Sequence, residues 1–173
     1  MKILDIGCGK RKVSGAIGVD IHPDSQADVF HDLDQFPYPF PENEFDLIYC
    51  IDVLEHLKDI IKTMEEIHRL GKKGAQVFIR VPHFTSTHAY GDPTHRHVFN
   101  TESFDYFCGG FQQYGFYTAA TFKKIKGRLN FWKLHRLNGI SLLANRFPLY
   151  YEKLFAFIFP AMNIEFQLEV IKP

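Results

Sequence analysis

The first residues that could do chemistry lie in a glycine-bearing loop, Asp5-Ile6-Gly7-Cys8-Gly9, which follows a short apolar run. Glycine lets the backbone approach a ligand closely, although a tight turn alone would also favour it. Asp20 ends the next apolar run, where a carboxylate can accept hydrogen bonds from both hydroxyls of a ribose. Because ligands of open parallel sheets bind outside the carboxyl ends of the strands, the spacing predicts a ligand site at this edge.

A second group of reactive side chains lies between positions 82 and 100, where four of the nine histidines fall between positions 83 and 97. A neutral histidine, with an ordinary pKa of about 6.5, can accept a proton from an acceptor hydroxyl. We expect His83 to be the first candidate base, followed by His95 and Asp92. The alternatives are loop histidines bound to backbone groups, or zinc-type ligation by His95 and His97 with Asp92 or His83. No ligand spacing of a known metal site is matched, so we predict no metal.

The elements that must position these side chains indicate an α/β fold. Short β-branched runs bounded by turn residues are typical of buried parallel strands, and a weaker strand is predicted over residues 27–31. A periodic helix is predicted from Val53 to Leu70, with Asp52 and Glu55 as a capping box and Gly71 at its end. The predicted parallel strands span residues 3–6, 16–21, 45–51 and 75–81.

Two late runs predict an antiparallel hairpin that closes an otherwise parallel sheet. Residues 116–126 are typical of an extended run, and residues 164–171 alternate in the manner of a strand. We therefore predict one Rossmann-like domain over residues 1–173. It would carry an acceptor-side loop with a short helix capped by Thr101 over residues 83–115, and an aromatic and basic insertion over residues 127–163.

Composition excludes several classes of protein. The 173 residues carry 20 basic and 20 acidic side chains, so net charge gives no reason to expect nucleic acid as a partner. The three cysteines form no CxxC pair, which favours a reducing compartment, and no apolar signal region follows the first residue; we expect a cytoplasmic protein. Charges and prolines interrupt the apolar stretch 147–166, so we predict no transmembrane segment.

In the first 82 residues the chain resembles the class I S-adenosylmethionine-dependent methyltransferases, in particular the small branch usually labelled type 11. Several motifs in the right order are far more specific than one. The resemblance rests on Leu4-Asp5-Ile6-Gly7-Cys8-Gly9, Gly18-Val19-Asp20-Ile21, Asp32-Leu33, Phe45-Asp46-Leu47-Ile48 leading into Val53-Leu54-Glu55-His56-Leu57, and the segment 74–81.

The resemblance implies S-adenosylmethionine as the cofactor and assigns a role to each matching position. Asp5, Gly7 and Gly9 would hold the methionine part, with Cys8 and Lys10 beside them in the loop, and Asp20 would accept from the ribose hydroxyls, with Ile21 next to it. Asp32 would accept from the adenine amino group, and Leu33 would supply a backbone amide. Cys50, Ile51 and Asp52 would border the sulfonium. A dinucleotide site is excluded because the third glycine is replaced by Lys12, and a Walker loop because no Gly-Lys-Ser/Thr follows.

The chain departs from the family pattern in its first crossover. Only six residues separate Gly9 from Ala16, whereas a parallel crossover with its helix needs at least about 10–12. The first helices must therefore be shortened, and one sheet face must be covered by the C-terminal segment or by another subunit. We expect Lys10, Arg11 or Lys12 to replace the positive N-terminus of the missing helix beside the methionine carboxylate.

The C-terminal part is basic and aromatic. Residues 123–136 hold six Lys or Arg interleaved with aromatics, a pattern that can bind nucleic acid but more often forms a solvated face. For the aromatic run 149–159 we favour core or dimer packing over a lipid contact. We therefore predict methyl transfer to an oxygen or nitrogen of a small-molecule or lipid-like acceptor, with a homodimer expected. The alternatives are a cofactor-binding protein without catalysis and an RNA-binding methyltransferase.

Overall fold

The computed structural model describes residues 1–109 and 117–173. In this part of the chain, seven strands form one sheet. The strands are β1 (Ile3–Ile6), β2 (Ile17–Asp20), β3 (Val29–Phe30), β4 (Phe45–Ile51), β5 (Gly71–Pro82), β6 (Thr121–Asn130) and β7 (Asn163–Ile171). Their order is β3-β2-β1-β4-β5-β7-β6.

Strand directions confirm the predicted mostly parallel sheet with an antiparallel end. The first five strands pair in parallel, and β7 runs antiparallel to both β5 and β6. This arrangement places the ends of β1, β2, β4 and β5 at one edge, where a parallel sheet binds its ligands. The loops that carry the predicted chemistry leave the sheet at this edge.

The two faces of the sheet are covered differently. One face belongs to the main hydrophobic core, with side chains such as Leu4, Ile48 and Val77 fully buried. On β4 and β5 the next residues, Tyr49 and Phe78, point to the other face and stay partly exposed, and their rings stack at 5.3 Å. An incompletely covered second face is the consequence expected from the shortened first crossovers.

The C-terminal segment does not cover that second face, contrary to one of our two expectations. Its side chains pack near β6 and β7 instead: Asn145 accepts from the Leu129 N–H at 2.8 Å, and the Tyr151 ring lies 5.4 Å from that of Phe131. Cover by a second subunit stays a prediction.

The periodic segment after β4 forms two pieces rather than one helix. A single 3₁₀ turn spans Leu54–His56, and helix α1 (Ile60–Leu70) begins only after Asp59, whose carboxylate accepts from the Lys62 N–H at 3.0 Å. The predicted capping box is therefore wrong. Asp52 has a positive φ of 54° and pairs with Arg80, so its carboxylate is engaged with a side chain of β5. The predicted end at Gly71 agrees with the structure.

Shorter helices fill the remaining connections. They are α2 (Thr87–Gly91), a 3₁₀ turn (Asp105–Cys108), α3 (Lys133–Leu137), α4 (Ile140–Arg146) and α5 (Pro148–Leu154). Thr101 begins a turn rather than capping a helix. Strand β6 continues through residues 127–130 because they stay in register with β7, so the predicted insertion begins after Asn130. Part of the predicted extended run, Phe116, lies outside the described residues.

The apolar side chains of the run 149–159 are mostly exposed, so the prediction of core packing is wrong for most of them, whereas dimer packing stays a prediction. Phe157 is 82% exposed and Tyr150 is 69% exposed, whereas Tyr151 and Ala156 are buried. Across residues 1–109 and 117–173, no helix combines the length and the apolar content that crossing a bilayer requires.

Candidate functional site

The glycine loop after β1 is held by backbone contacts that only glycine permits at Gly7. Its N–H donates to the Val19 carbonyl at 2.8 Å, and its φ of +68° lies in the left-handed region. A β-carbon added there would lie 2.3 Å from Val53 Cγ2, far inside van der Waals contact. The main chain therefore comes as close as it can to the turn that follows β4.

Asp20 is fixed at the end of β2 by two backbone donors. Its Oδ2 accepts from the Gly9 N–H and its Oδ1 from the His22 N–H, both at 2.8 Å. Because each carboxylate oxygen can accept more than one hydrogen bond, both keep capacity for a ligand. The carboxylate is thus oriented before any ligand arrives.

Side chains replace the missing first helix. Lys12 Nζ donates to both carboxylate oxygens of Asp28, at 2.8 and 2.7 Å, and Asp28 also accepts from the Gly18 N–H at 2.7 Å. The Val13 N–H donates to Asp5 Oδ2 at 2.8 Å, so the short crossover is tied to β1 as well. Because Lys12 is bound to Asp28, it is not available to a cofactor. Lys10 and Arg11 therefore stay as the residues expected to supply positive charge beside the methionine carboxylate.

A cavity of about 410 Å³ opens against this loop; we call it the cofactor cavity. Burial raises the pKa of Asp5, an effect opposed by the Val13 hydrogen bond and by Lys12. Burial also raises the pKa of Cys8 to about 11, so its thiol stays protonated at neutral pH. Lining residues are Asp5, Gly7, Cys8, Gly9, Lys10, Arg11, Val13, Ile51, Asp52 and Arg80.

A second, larger cavity of about 780 Å³ adjoins the first; we call it the acceptor cavity. Asp52 and Arg80 line both cavities, and Arg80 Nε donates to Asp52 Oδ1 at 2.9 Å. The hydrogen bond to Asp52 raises the pKa of Arg80, and the two side chains form an ion pair. The acceptor cavity is lined by Asp52, Glu55, His56, Arg80, Pro82, His88, Gly91, Asp92, Pro93, His95, Met162 and Asn163.

Residues 1–121 match the family model described as "Methyltransferase domain". The chain belongs to the methyltransferase domain family. This match confirms a class I S-adenosylmethionine-dependent methyltransferase and S-adenosylmethionine as its cofactor. No significant match was found among curated protein sequences.

Solved structures of methyltransferases share the fold across nearly the whole chain. An S-adenosylmethionine-dependent methyltransferase from Archaeoglobus fulgidus is 19% identical, with a TM-score of 0.64 over 97% of this chain and 85% of that one. An S-adenosylmethionine-dependent methyltransferase from Mesorhizobium loti is 13% identical, with a TM-score of 0.58 over 97% and 90%. Phosphoethanolamine N-methyltransferase 2 from Haemonchus contortus is 19% identical, with a TM-score of 0.58 over 100% of this chain and 50% of that one.

Seven of the predicted cofactor-binding residues of the methyltransferase line the cofactor cavity, and five do not. Cys50 is fully buried and points to the opposite face of the sheet from Asp5, so its side chain does not reach the cavity. Ile21 is 64% exposed beyond the end of β2. The five outside the lining are Asp20, Ile21, Asp32, Leu33 and Cys50.

The predicted adenine-side residues lie in the turn after β3. Asp32 Oδ1 accepts from the Asp34 N–H at 3.0 Å, and the side chain stays partly exposed. Leu33 is buried, and its carbonyl accepts from the Tyr38 hydroxyl at 2.9 Å. The hydrogen bond from the buried Tyr38 thus holds this turn against the hydrophobic core. The roles predicted for both residues stay predictions.

His83, the first candidate base, does not line either cavity of the methyltransferase. Its side chain is 0% exposed, with Nδ1 2.6 Å from Thr85 Oγ1 and Nε2 3.3 Å from Glu152 Oε1. The ring therefore ties the loop after β5 to α5, and we withdraw it as the base because an acceptor cannot reach it. His95 and Asp92 do line the acceptor cavity.

The sequence reasoning missed several residues of the site. Arg80 could have been noticed as a charged side chain near the end of an otherwise apolar strand. The local pattern assigns Glu55 and His56 only to a helix and a family motif, because their partners in the cavity come from a segment about 40 residues later. His88 also lines the acceptor cavity, whereas Arg11, which we expected beside the methionine carboxylate, lines the cofactor cavity.

Proposed function

We propose that this methyltransferase transfers a methyl group from S-adenosylmethionine in the cofactor cavity to an oxygen or nitrogen atom of a small molecule in the acceptor cavity. The observation that carries the proposal is the shared wall of the two cavities, where Asp52 and Arg80 belong to both. A ligand in each cavity would meet at this wall. Holding two reactants in contact supplies much of the catalysis that a transfer reaction needs.

The residues of the cofactor cavity fit the proposed ligand. S-adenosylmethionine supplies an electrophilic methyl group on a sulfonium, and sulfonium cations favour carboxylates and carbonyls as neighbours. Asp20 would accept from the ribose hydroxyls, and Lys10 and Arg11 would face the methionine carboxylate. Arg80 brings a positive charge to this region, but its bond to Asp52 keeps the pair locally neutral. The close approach at Gly7 leaves the loop backbone available to the ligand.

The acceptor cavity favours a polar small molecule. Its lining includes carboxylates, histidines and one arginine, and only a few apolar side chains such as Met162 and Pro82. His95 and Asp92 are the groups placed to take the proton that the acceptor releases. Because Asp92 Oδ1 already accepts from Thr94 at 2.6 Å, we propose His95 for this role.

Closing the acceptor cavity tests the proposal. Gly91 lines the cavity and nothing lies within 4 Å of a β-carbon placed on it, so Gly91→Phe should fill the space without distorting the fold. We expect release of S-adenosylhomocysteine, measured with a panel of small hydroxyl and amine compounds, to fall at least about tenfold. Calorimetric binding of S-adenosylhomocysteine should stay unchanged. If neither S-adenosylmethionine nor S-adenosylhomocysteine binds the wild-type protein, the proposal fails.

The basic loop should contribute charge to cofactor binding. Replacing Lys10 and Arg11 together by serine should weaken binding of S-adenosylmethionine about three- to tenfold, because each exposed ion pair contributes less than about 1 kcal/mol. The matched control is Lys12→Ser, which breaks the contact with Asp28. This variant should lower the melting temperature and leave the affinity for S-adenosylmethionine close to that of the wild type. Equal affinity of the double variant and the wild type would show that both are ordinary solvated residues.

The observations favour a small molecule over nucleic acid. Within the basic segment, Lys124 is bound to Asp105 at 2.6 Å, and Lys123 and Arg128 lie opposite Glu169 and Glu165 in the register of β6 and β7. The charge of these three of the six basic side chains is therefore offset by acidic neighbours. An RNA-binding role has no support in this geometry.

A lipid-like acceptor, a membrane contact and a homodimer stay predictions, as does a cytoplasmic location. The lipid-like acceptor, the membrane contact and the homodimer are supported by the exposed apolar side chains of α4, α5 and the segment after them. A groove of about 540 Å³ lies between these elements. A monomer in light scattering would contradict the homodimer.

A further inference from the structure

The acceptor cavity contains a cluster of three metal-ligating side chains from two separate segments. Glu55 and His56 come from the 3₁₀ turn after β4, and His95 comes from the loop after α2. One ligand atom from each of the three lies within 4.8 Å of the other two. The backbone fixes the two segments together, since the Arg96 N–H donates to the Glu55 carbonyl at 2.7 Å.

Glu55 contributes a buried carboxylate oxygen that has no partner. The residue is 1% exposed, and its Oε2 makes no hydrogen bond within the described part of the chain. Buried carboxylates in proteins are normally hydrogen-bonded, paired with a cation or bound to a metal. One carboxylate oxygen of Glu55 lies within 4.8 Å of a ring nitrogen of each histidine, and no lysine or arginine of the described residues forms an ion pair with Glu55.

Both histidines are oriented through Nδ1 by hydrogen-bond acceptors. His56 Nδ1 lies 2.8 Å from Thr94 Oγ1, and that hydroxyl in turn donates to Asp92 Oδ1 at 2.6 Å. His95 Nδ1 lies 3.2 Å from the Ala89 carbonyl, which can only accept. These contacts assign the proton to Nδ1 in both rings and leave Nε2 available to a ligand. A carboxylate or carbonyl behind the second nitrogen is the usual support of a metal-binding histidine.

We propose that Glu55, His56 and His95 bind a divalent transition-metal ion of the zinc type, with an open coordination position toward the acceptor cavity. Two imidazoles and one carboxylate suit zinc and its transition-metal neighbours, whereas magnesium and calcium prefer oxygen ligands alone. Zinc bonds of about 2.0–2.1 Å in a tetrahedron separate the ligand atoms by about 3.4 Å. The cluster would need to contract by at most about 1.4 Å from its present 4.8 Å limit. Side-chain rotation can supply a movement of this size.

The site explains why the sequence spacing pointed away from a metal. Expected partners such as His97 and His83 are engaged elsewhere, since His97 Nε2 lies 2.8 Å from the Leu57 carbonyl and His83 is fully buried. The ligands that join His95 are instead the adjacent residues Glu55 and His56, which the fold places beside it from the turn after β4.

The role of this ion rests on the proposed function. The open position would bind the oxygen or nitrogen atom of the acceptor and orient it toward the wall formed by Asp52 and Arg80. His95 would then act as a ligand, and Asp92, the other group of the cavity placed to take a proton, would accept the proton that the acceptor releases. Binding of the metal itself depends only on the three side chains.

Metal binding can be tested without an acceptor. Full-length protein, stripped with a chelator and free of any histidine tag, should compete with a chromophoric chelator for one equivalent of zinc. Cobalt, added alone, should give visible absorption bands of a four- or five-coordinate site. We expect Glu55→Gln and His95→Gln to weaken zinc binding at least about tenfold, with circular dichroism confirming that both variants are folded. The control is His88→Gln, an exposed histidine of the same cavity outside the cluster, which should bind zinc as the wild type does.

The result separates this proposal from the proposed function. Absence of stoichiometric zinc binding, or equal zinc affinity of His95→Gln and the wild type, overturns the metal site even if S-adenosylhomocysteine binds. Zinc binding that is lost in both cluster variants supports the site even if S-adenosylhomocysteine does not bind. Calorimetry with S-adenosylhomocysteine on the metal-free protein gives the second readout.

Discussion

Replacing Asp20 by alanine is expected to weaken binding of S-adenosylmethionine and S-adenosylhomocysteine by more than about a hundredfold. The carboxylate stands ready to accept from both ribose hydroxyls, because the Gly9 and His22 amides already hold it at 2.8 Å. Hydrogen bonds to a charged group contribute about 1.5–3 kcal/mol each, so the loss of two exceeds about 3 kcal/mol. Isothermal titration calorimetry with both ligands measures the change.

Two further variants separate ligand binding from folding. Asp20→Asn keeps the shape and one acceptor oxygen, so its affinity should lie between those of the wild type and the alanine variant. Asp24→Ala removes an exposed carboxylate from the same loop and should leave affinity unchanged. If Asp20→Ala binds as tightly as the wild type, the placement of the ribose at the end of β2 is wrong.

Gly7→Ala is expected to lower the free energy of unfolding by about 3 kcal/mol or more. A side chain at a φ of +68° carries about 1–2 kcal/mol of backbone strain, and overpacking against Val53, 2.3 Å from the new β-carbon, adds about 1–3 kcal/mol. Urea unfolding in the absence of cofactor measures the loss.

The matched variant for Gly7 is Gly9→Ala in the same loop. Gly9 also has a positive φ, +52°, but nothing lies within 4 Å of its added β-carbon. The free energy of unfolding of Gly9→Ala should therefore fall by the backbone strain alone, about 1–2 kcal/mol. Equal losses in the two variants would show that the contact between the loop and Val53 does not matter to stability.

The shortened crossover gives this methyltransferase a different way of organising its first loop. A helix would normally follow β1 and present backbone N–H groups at its N-terminus. Here the Lys12 contact with Asp28 and the Val13 hydrogen bond to Asp5 hold the loop instead. Side-chain contacts therefore take the place of the helix in holding the loop. Lys10 and Arg11 are not part of these contacts and line the cofactor cavity.

The sequence by itself determined the strands, their parallel order in outline and the cofactor family. Apolar runs such as Ile3–Ile6 and Phe45–Ile51 are local patterns, and the short distance from Gly9 to Ala16 left no room for a helix. The motif after β1 and the carboxylate after β2 depend on residues close in the chain. Local sequence patterns of this kind can be interpreted without knowing the tertiary contacts of the segment.

Local pattern failed where a tertiary contact competed with it. The periodicity from Val53 to Leu70 predicted one helix, but the ion pair between Asp52 and Arg80 accompanies a positive φ that delays the helix to Ile60. His83 looked like a free loop histidine, yet Glu152 from α5 covers it. In both cases the deciding partner lies at least 28 residues away in the chain.

Only the tertiary structure decided what the acceptor side contains. The sheet edge brings the turn after β4 against the loop after α2, so that Glu55 and His56 meet His95 although about 40 residues separate them in the chain. Spacing rules detect ligands that share one helix or loop, and they are blind to a set assembled across two strand ends. The sequence therefore determined which cofactor is bound, because that site is built from local turns, and the fold decided which side chains face the acceptor.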